Sequence, residues 1–262
     1  MKYLNLIFIL LIPVILFSQD DLTAFQIADR AQEAIRVKGV QAVAVMRIVD
    51  EKGRQRVRKI KQATKLYDKG ETEKRLIRFL EPADVKGVGL LTYDYKTKDD
   101  DIWLYMPALR KTRRIVSSEK AKNFMGSEFT YADMTPPSLD DFSFTKMGQE
   151  EVNGTLCYKL EWKPKDENIA EENGFSKRIV FIGKNDFVIR KSVYYDLNGE
   201  LFKELTIDEV KELDTVNHKY RAVKLEMVNL QNGRKSYLEN ESIEFKPDID
   251  DNYFTTRYLE RE

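Results

Sequence analysis

The chain is poor in the residues that most enzyme chemistry needs. Its 262 residues hold one cysteine, Cys157, and one histidine, His218. One thiol excludes an intramolecular disulfide, and one Cys with one His leaves too few ligands for a Cys/His metal site. Cys–His or Ser–His catalysis would have to run through these lone residues. His218 lies in the polar run 215–220, which reads as a turn between strands. Cys157 alternates with its neighbours Leu156, Tyr158 and Leu160 in a strand-like stretch, where a small thiol packs rather than reacts. An excess of either charge is missing too: 44 basic residues balance 44 acidic ones, so nothing draws the chain toward nucleic acid. There is no Gly-rich phosphate loop. No apolar run reaches the roughly 20 residues of a membrane-spanning helix. Neither a cofactor nor a metal is expected, and the chain reads as a non-enzyme.

What is present points to an exported sheet protein. Charged residues make up 34% of the chain and hydrophobic ones 42%, the balance of a globular domain with a wetted surface. Thirteen Tyr and fourteen Phe suit strands. Lys2, the apolar run 4–17 and the polar flank Ser18-Gln19-Asp20-Asp21 have the order of a signal peptide. The expected division is a signal peptide over 1–18 and a single domain over 19–262. No cysteine lies near the cleavage point, so the mature protein is expected in the periplasm, soluble and without a lipid anchor.

Residues 21–37 predict an amphipathic helix, with Leu22, Phe25, Ala28, Ala31 and Ile35 on one face and Gly39 as the stop. Most of the remainder predicts strands: 43–50, 55–67, 74–80, 90–95, 102–106, 142–147, 156–162, 177–182, 187–195, 201–210, 222–229 and 237–245. Asn153-Gly154, Asn198-Gly199 and Asn232-Gly233 are tight hairpin turns, so successive strands are antiparallel neighbours. Val223, Leu225 and Met227 face inward, and Phe187, Ile189, Val193 and Tyr195 share a face. Asp99 to Asp101 read as a solvated hairpin turn, 165–173 as an acidic loop, and 253–261 as a closing helical turn. A sheet of about ten or more strands with so little helix leaves an inner face that side chains alone cannot fill. An open barrel with a cavity is the expected outcome.

The stretch 101–135 breaks the alternation. Ile102, Leu104 and Met106 fall on one side of a strand and Trp103 and Tyr105 on the other, so both faces need apolar surroundings. Asn123 to Met134 then carries Phe124, Met125, Phe129, Tyr131 and Met134 around Gly126. It reads either as a flap over a cavity or as a core loop following a strand buried under a helix.

These residues also carry a family resemblance. W-L-Y-M-P-A-L-R-K-T-R-R-I followed by F-M-G-S-E-F-T-Y-A-D-M resembles the LolA-like outer membrane lipoprotein-sorting family. R-F-L-E-P-A-D-V-K-G-V-G-L-L (78–91), M-V-N-L-Q (227–231) and D-D-N-Y-F-T-T-R-Y-L-E-R (250–261) match other family segments in consistent order. The resemblance implies a mainly β fold with few helices: a large curved antiparallel sheet forming an incomplete β-barrel with a helical lid. It implies a carrier of lipoprotein acyl chains, or of another lipid, moving cargo toward the outer membrane, with an inner-membrane transporter as a further partner. Trp103, Tyr105, Phe124, Met125, Phe129 and Tyr131 are the candidate residues of the cavity wall and flap. The alternative is an adaptor of an envelope lipid exporter that carries nothing. Two basic stretches, Arg54 to Lys65 and Arg110 to Arg114, either meet anionic headgroups or an acidic partner, or are a solvated face beside Glu71 and Glu73.

Overall fold

The computed structural model describes residues 22–261; the expected signal peptide lies outside them. Thirteen strands form one sheet: β1 (Gly39–Val49), β2 (Gln55–Tyr67), β3 (Thr72–Glu81), β4 (Gly89–Tyr95), β5 (Asp101–Met106), β6 (Lys111–Arg114), β7 (Phe142–Val152), β8 (Thr155–Pro164), β9 (Lys177–Gly183), β10 (Ile189–Tyr195), β11 (Leu201–Asp214), β12 (Lys219–Asn229) and β13 (Lys235–Phe245). Three helices accompany them: α1 (Ala24–Ile35), α2 (Glu167–Asn173) and α3 (Thr256–Leu259).

The order across the sheet is β6-β5-β4-β3-β2-β1-β13-β12-β11-β10-β9-β8-β7. Every step pairs chain neighbours except the antiparallel seam between β1 and β13. The edges β6 and β7 do not pair with each other, so the sheet is an incomplete barrel. Residues 115–141 leave one edge and re-enter at the other, so this connection must cross the sheet. It crosses over the inner face.

Alternation assigns the two faces. Ile60, Ile77, Phe79, Leu90, Ile102, Leu104, Leu160, Val180 and Met227 pack on the inner side with Ile27, Ala28 and Ala31 of α1 and with Phe124, Phe129, Tyr131 and Met134 of the crossing segment. On the outer side, Ala63, Leu76, Leu91 and Tyr105 form a second core with Phe254 and Leu259, and Tyr93 and Trp103 pack against it. The double-sided apolar character of β5 has its cause here. Ile102 and Leu104 face the main core, while Trp103 and Tyr105 lie under the C-terminal segment. Arg78 ties that segment down by donating to the Tyr258 and Leu259 carbonyls at 2.8 and 3.0 Å.

Helix α1 begins with a capping box. The Thr23 hydroxyl accepts from Gln26 N at 3.2 Å, and the Gln26 side chain accepts from Thr23 N at 2.8 Å. Its buried stripe is Ile27, Ala28, Ala31 and Ala34, whereas Phe25 stays exposed and stacks edge-on against Phe144 at 5.8 Å. The small alanines let the helix approach the sheet closely.

Several local expectations change. Residues 111–114, read as a basic cluster, form the edge strand β6; an edge strand without a buried face carries no apolar alternation. Residues 167–173, read as a loop, form α2, capped by Asp166 accepting from Ile169 N at 3.0 Å. Phe187 lies outside β10 with φ 55°, and the register shift between Ile189 and Lys191 puts Ile189 at the inner cavity while Val193 and Tyr195 pack on the outer face. Asp100 and Asp101 are half-buried rather than solvated: Asp100 accepts from Tyr95 N at 3.3 Å, and Asp101 pairs with Arg114.

The C-terminal core should carry a large share of stability. Phe254 is 1% exposed. Phe254→Ala is expected to cost about 3–5 kcal/mol in urea unfolding; a loss under about 1 kcal/mol would show that the segment only rests on the sheet.

Candidate functional site

Between the inner face, α1 and the crossing segment lies a cavity of about 330 Å3. Most of its sheet wall is apolar: Met46, Ile60, Ile77, Leu205, Ile207, Leu225, Met227 and Leu238. Ala31 and Ile35 of α1 close one side, and Phe124, Phe129 and Met134 of the flap close another. These side chains arrive from β1, β2, β3, β11, β12 and β13, which the sheet order places side by side. No single element can make the site.

The flap folds back on itself, with Phe124 N donating to Phe129 O at 2.7 Å and Tyr131 N to Lys122 O at 3.1 Å, which leaves the carbonyls at its bend to find partners elsewhere. Met125 (φ 51°) and Gly126 (φ 76°) both sit in the left-handed region and reverse the chain. Their carbonyls meet two arginines: Arg58 donates to Met125 O, and Arg234 donates to Gly126 O at 3.0 Å. Gly126 takes this conformation without strain; Met125 cannot, and its bond to Arg58 offsets the cost. Glu128, 1% exposed, is the anchor. Its amide donates to Ser236 Oγ at 2.8 Å, and its carbonyl accepts from Lys203 Nζ at 2.9 Å. Its carboxylate accepts from Asn229 at 3.0 Å and lies 3.0 Å from Arg234 Nε, an ion pair in contact whose N–H is not aligned as a hydrogen bond. Burial pulls the Lys203 pKa down, and the nearby carboxylates of Asp133 and Glu128 oppose that pull.

A second polar cluster spans the inner face. Glu73 on β3 pairs with Arg75 at 2.9 Å and with Arg221 on β12 at 3.0 Å. Burial works to raise its pKa, but Arg221 and Arg75 outweigh burial and hold the carboxyl down to about 2. Arg36 pairs with Asp94 at 3.2 Å and donates to Gly70 O at 2.6 Å. Burial, with Asp100 and Glu73 nearby, pushes Asp94 up to about 7 against the pull of Arg36. Arg75, Arg221 and Arg178 reach the cavity wall beside Gln62, Thr64 and Asn240.

The candidate residues divide. Phe124 and Phe129 line the cavity, and Tyr131 packs behind them with its ring 5.6 Å from that of Phe124. Met125 is partly buried against the main core at the flap's bend. Trp103 and Tyr105 lie on the opposite face, in or against the C-terminal core, with Trp103 edge-on to Tyr93 at 5.0 Å. His218 is 76% exposed in a turn, 2.8 Å from Glu212, and Cys157 is buried on the outer face, where burial pushes its thiol up. Neither lines the cavity. The basic stretch on β2 is mixed: Arg58 turns inward to the flap, while Lys59 and Lys65 pair with Glu241 and Asp251 at 2.8 and 2.7 Å.

Two outcomes are expected. Glu128→Ala leaves Lys203 and Arg234 without their carboxylate, which should cost about 3–5 kcal/mol and open the flap to limited proteolysis. Wild-type resistance in that segment would remove Glu128 as the anchor. The carboxyl pair fixes the signs of the pH response. Glu73, lowered from 4.5 to about 2, gives stability above 4.5 that is lost as pH falls toward 2. Asp94, raised from 3.8 to about 7, gives stability below 3.8 that is lost as pH rises through 7. Asp94→Asn should therefore flatten the decline in unfolding free energy between those two values; an unchanged profile would assign the decline to other groups.

The fold and cavity can be set beside known proteins. A family model described as that of an uncharacterized protein matches residues 71–261. A structure described as an outer membrane lipoprotein-sorting protein domain from Vibrio parahaemolyticus is similar with TM-score 0.82 and 29% identity, covering 91% of this chain and 98% of that one. A DUF1329 family protein from Desulfovibrio piger is similar with TM-score 0.82 and 27% identity, covering 90% and 97%. A LolA superfamily protein from Nitrosomonas europaea shares the fold with TM-score 0.67 at 19% identity, covering 90% and 99%. No curated protein matches the chain. With the family model spanning well over half of the sequence and the related structures sharing its whole architecture, the chain belongs to the LolA-like family.

Proposed function

We propose that the protein is a periplasmic carrier that holds an acyl chain of a lipoprotein or another lipid in its inner cavity and passes it toward the outer membrane. The observation that carries this reading is the apolar cavity of about 330 Å3 under the Glu128-anchored flap. Ligand sites commonly measure about 300–1,000 Å3. This one is at the small end, so it suits one acyl chain better than several. An acyl chain of roughly fifteen methylenes loses about 12 kcal/mol on entering water. Leu205, Leu225, Met227 and Leu238 offer it the apolar contact that replaces membrane. Met227 and Met134 adapt to a chain of varying shape. A relative described as a lipoprotein-sorting protein supports the same cargo class. The work of such a carrier is transfer, and it needs no nucleophile or general base. Among the described residues no helix is long and apolar enough to cross a membrane. Handover to an inner-membrane transporter belongs to the same proposal.

The test is organic extraction of protein purified from its own envelope, with mass spectrometry of the extract, alongside titration with a fluorescent fatty-acyl probe. Extracted lipid at near-stoichiometric yield and saturable probe binding are expected. Leu225→Trp, which fills the cavity, should cost no more than about 1–3 kcal/mol of stability. It should also weaken probe binding at least tenfold. A protein that yields no lipid and binds no probe is not a carrier, and the adaptor reading then replaces this one.

A further inference from the structure

The cavity wall holds a buried cation, Arg178, that contacts no carboxylate among the described residues. Arg178, on β9, is 9% exposed and lines the cavity. No carboxylate is paired with it among the described residues, whereas the other two cavity arginines, Arg75 and Arg221, share Glu73. Its guanidinium lies over the Trp162 ring, 4.2 Å from the centroid, with the Phe175 and Tyr194 rings at 5.6 and 5.9 Å. Ring faces offset part of a desolvated cation's cost but do not replace an anion. Two buried N–H groups here lack an acceptor: Arg178 Nε and Trp162 Nε1. Trp162 is 1% exposed and also lines the cavity.

Around this spot the wall changes character. Farther along the sheet, on β11 and β12, Leu205, Ile207 and Leu225 are apolar, and the carboxylate that lines the cavity, Asp133, accepts from the Thr130 amide and hydroxyl through Oδ2 at 2.7 and 2.9 Å and forms no ion pair with Arg178. An uncharged cargo would leave Arg178 with the aromatic rings and the Tyr194 hydroxyl around it and no carboxylate in contact. An amphiphile with an anionic head would supply the missing charge and accept from the open N–H groups, while its tail met the apolar wall.

We infer that Arg178, framed by Trp162, Phe175 and Tyr194, is the head-group subsite of the cavity and takes the carboxylate or phosphate of an anionic single-chain lipid. The inference rests on the carrier reading and adds the charge of the cargo to it. Arg75 and Arg221 also keep a buried Nε without an acceptor, but each contacts Glu73, which braces them between strands, whereas Arg178 touches no carboxylate among the described residues.

The test compares probes of one chain length: palmitate, its methyl ester and 1-palmitoyl lysophosphatidic acid, titrated against the full mature protein. Wild-type protein should bind palmitate or the lysophosphatidic acid at least tenfold more tightly than the ester; which of the two wins identifies the head as carboxylate or phosphate. Arg178→Met should remove that preference while ester affinity stays within about twofold, and Arg178→Lys should retain part of it. Equal wild-type affinity for acid and ester overturns the inference and leaves the carrier intact. A preference that survives Arg178→Met but disappears in Arg221→Met overturns it by moving the head to the other cluster. Failure of every probe to bind the wild type overturns both. If Arg178→Met does not fold, the wild-type comparison and Arg178→Lys still decide.

Discussion

A sheet that curls without closing has two edges, and the chain must travel from one to the other. In this protein residues 115–141 make that journey across the inner face, from β6 to β7. The crossing segment bonds many of its amides within itself, through short turns and the bridge between Asn123 and Thr130, and side chains from the sheet take up the groups left over at its bend. Arg58, Lys203, Arg234 and Ser236 meet the carbonyls and amide of residues 125–128. The buried Glu128 supplies the negative partner that offsets the cost of drawing Lys203 and Arg234 in from water. Open topology, covering segment and buried ion cluster are links in one chain of cause.

The second cluster stands at the other end of the strands. Arg221 and Asn229 both belong to β12, eight residues apart, which is roughly 26 Å of strand. One end is braced by Glu73 and its arginines and the other by Glu128 and its partners. Between them the inner face is mostly apolar side chains that α1 does not fill. The cavity is held open by polar braces at both ends, which is why an apolar space does not collapse.

The strand pattern was legible because inward and outward residues alternate: residues 55–67 emerge as β2 with those same ends, and Val223 and Met227 are buried as expected. Edge strand β6 was illegible because it buries no face and so shows no alternation. Phe124 and Phe129 stood out as aromatic residues in a segment with no periodicity. The charged lining was missed, although parity held the signal. Arg221 shares its face with Val223, Leu225 and Met227, and Arg178 with Val180 and Ile182. Neither arginine was singled out, because a charge at the end of an inward apolar row does not by itself announce a buried site. Trp103 and Tyr105 were drawn to the cavity because nothing in the local pattern distinguishes an apolar face that meets the main core from one that meets the chain's own C-terminus.

An unclosed sheet also carries a hazard, since each free edge could template another copy of the chain. The two edges are unlike each other. β6 is four residues long and reads Lys-Thr-Arg-Arg, so two such edges brought together would repel. β7 is long, mostly exposed along its length, and broken by a register shift between Lys146 and Gly148, where φ reaches 114°. A partner strand would lose its hydrogen-bond register at that point. The sheet can therefore stay unclosed without offering either edge as a ready template for another strand.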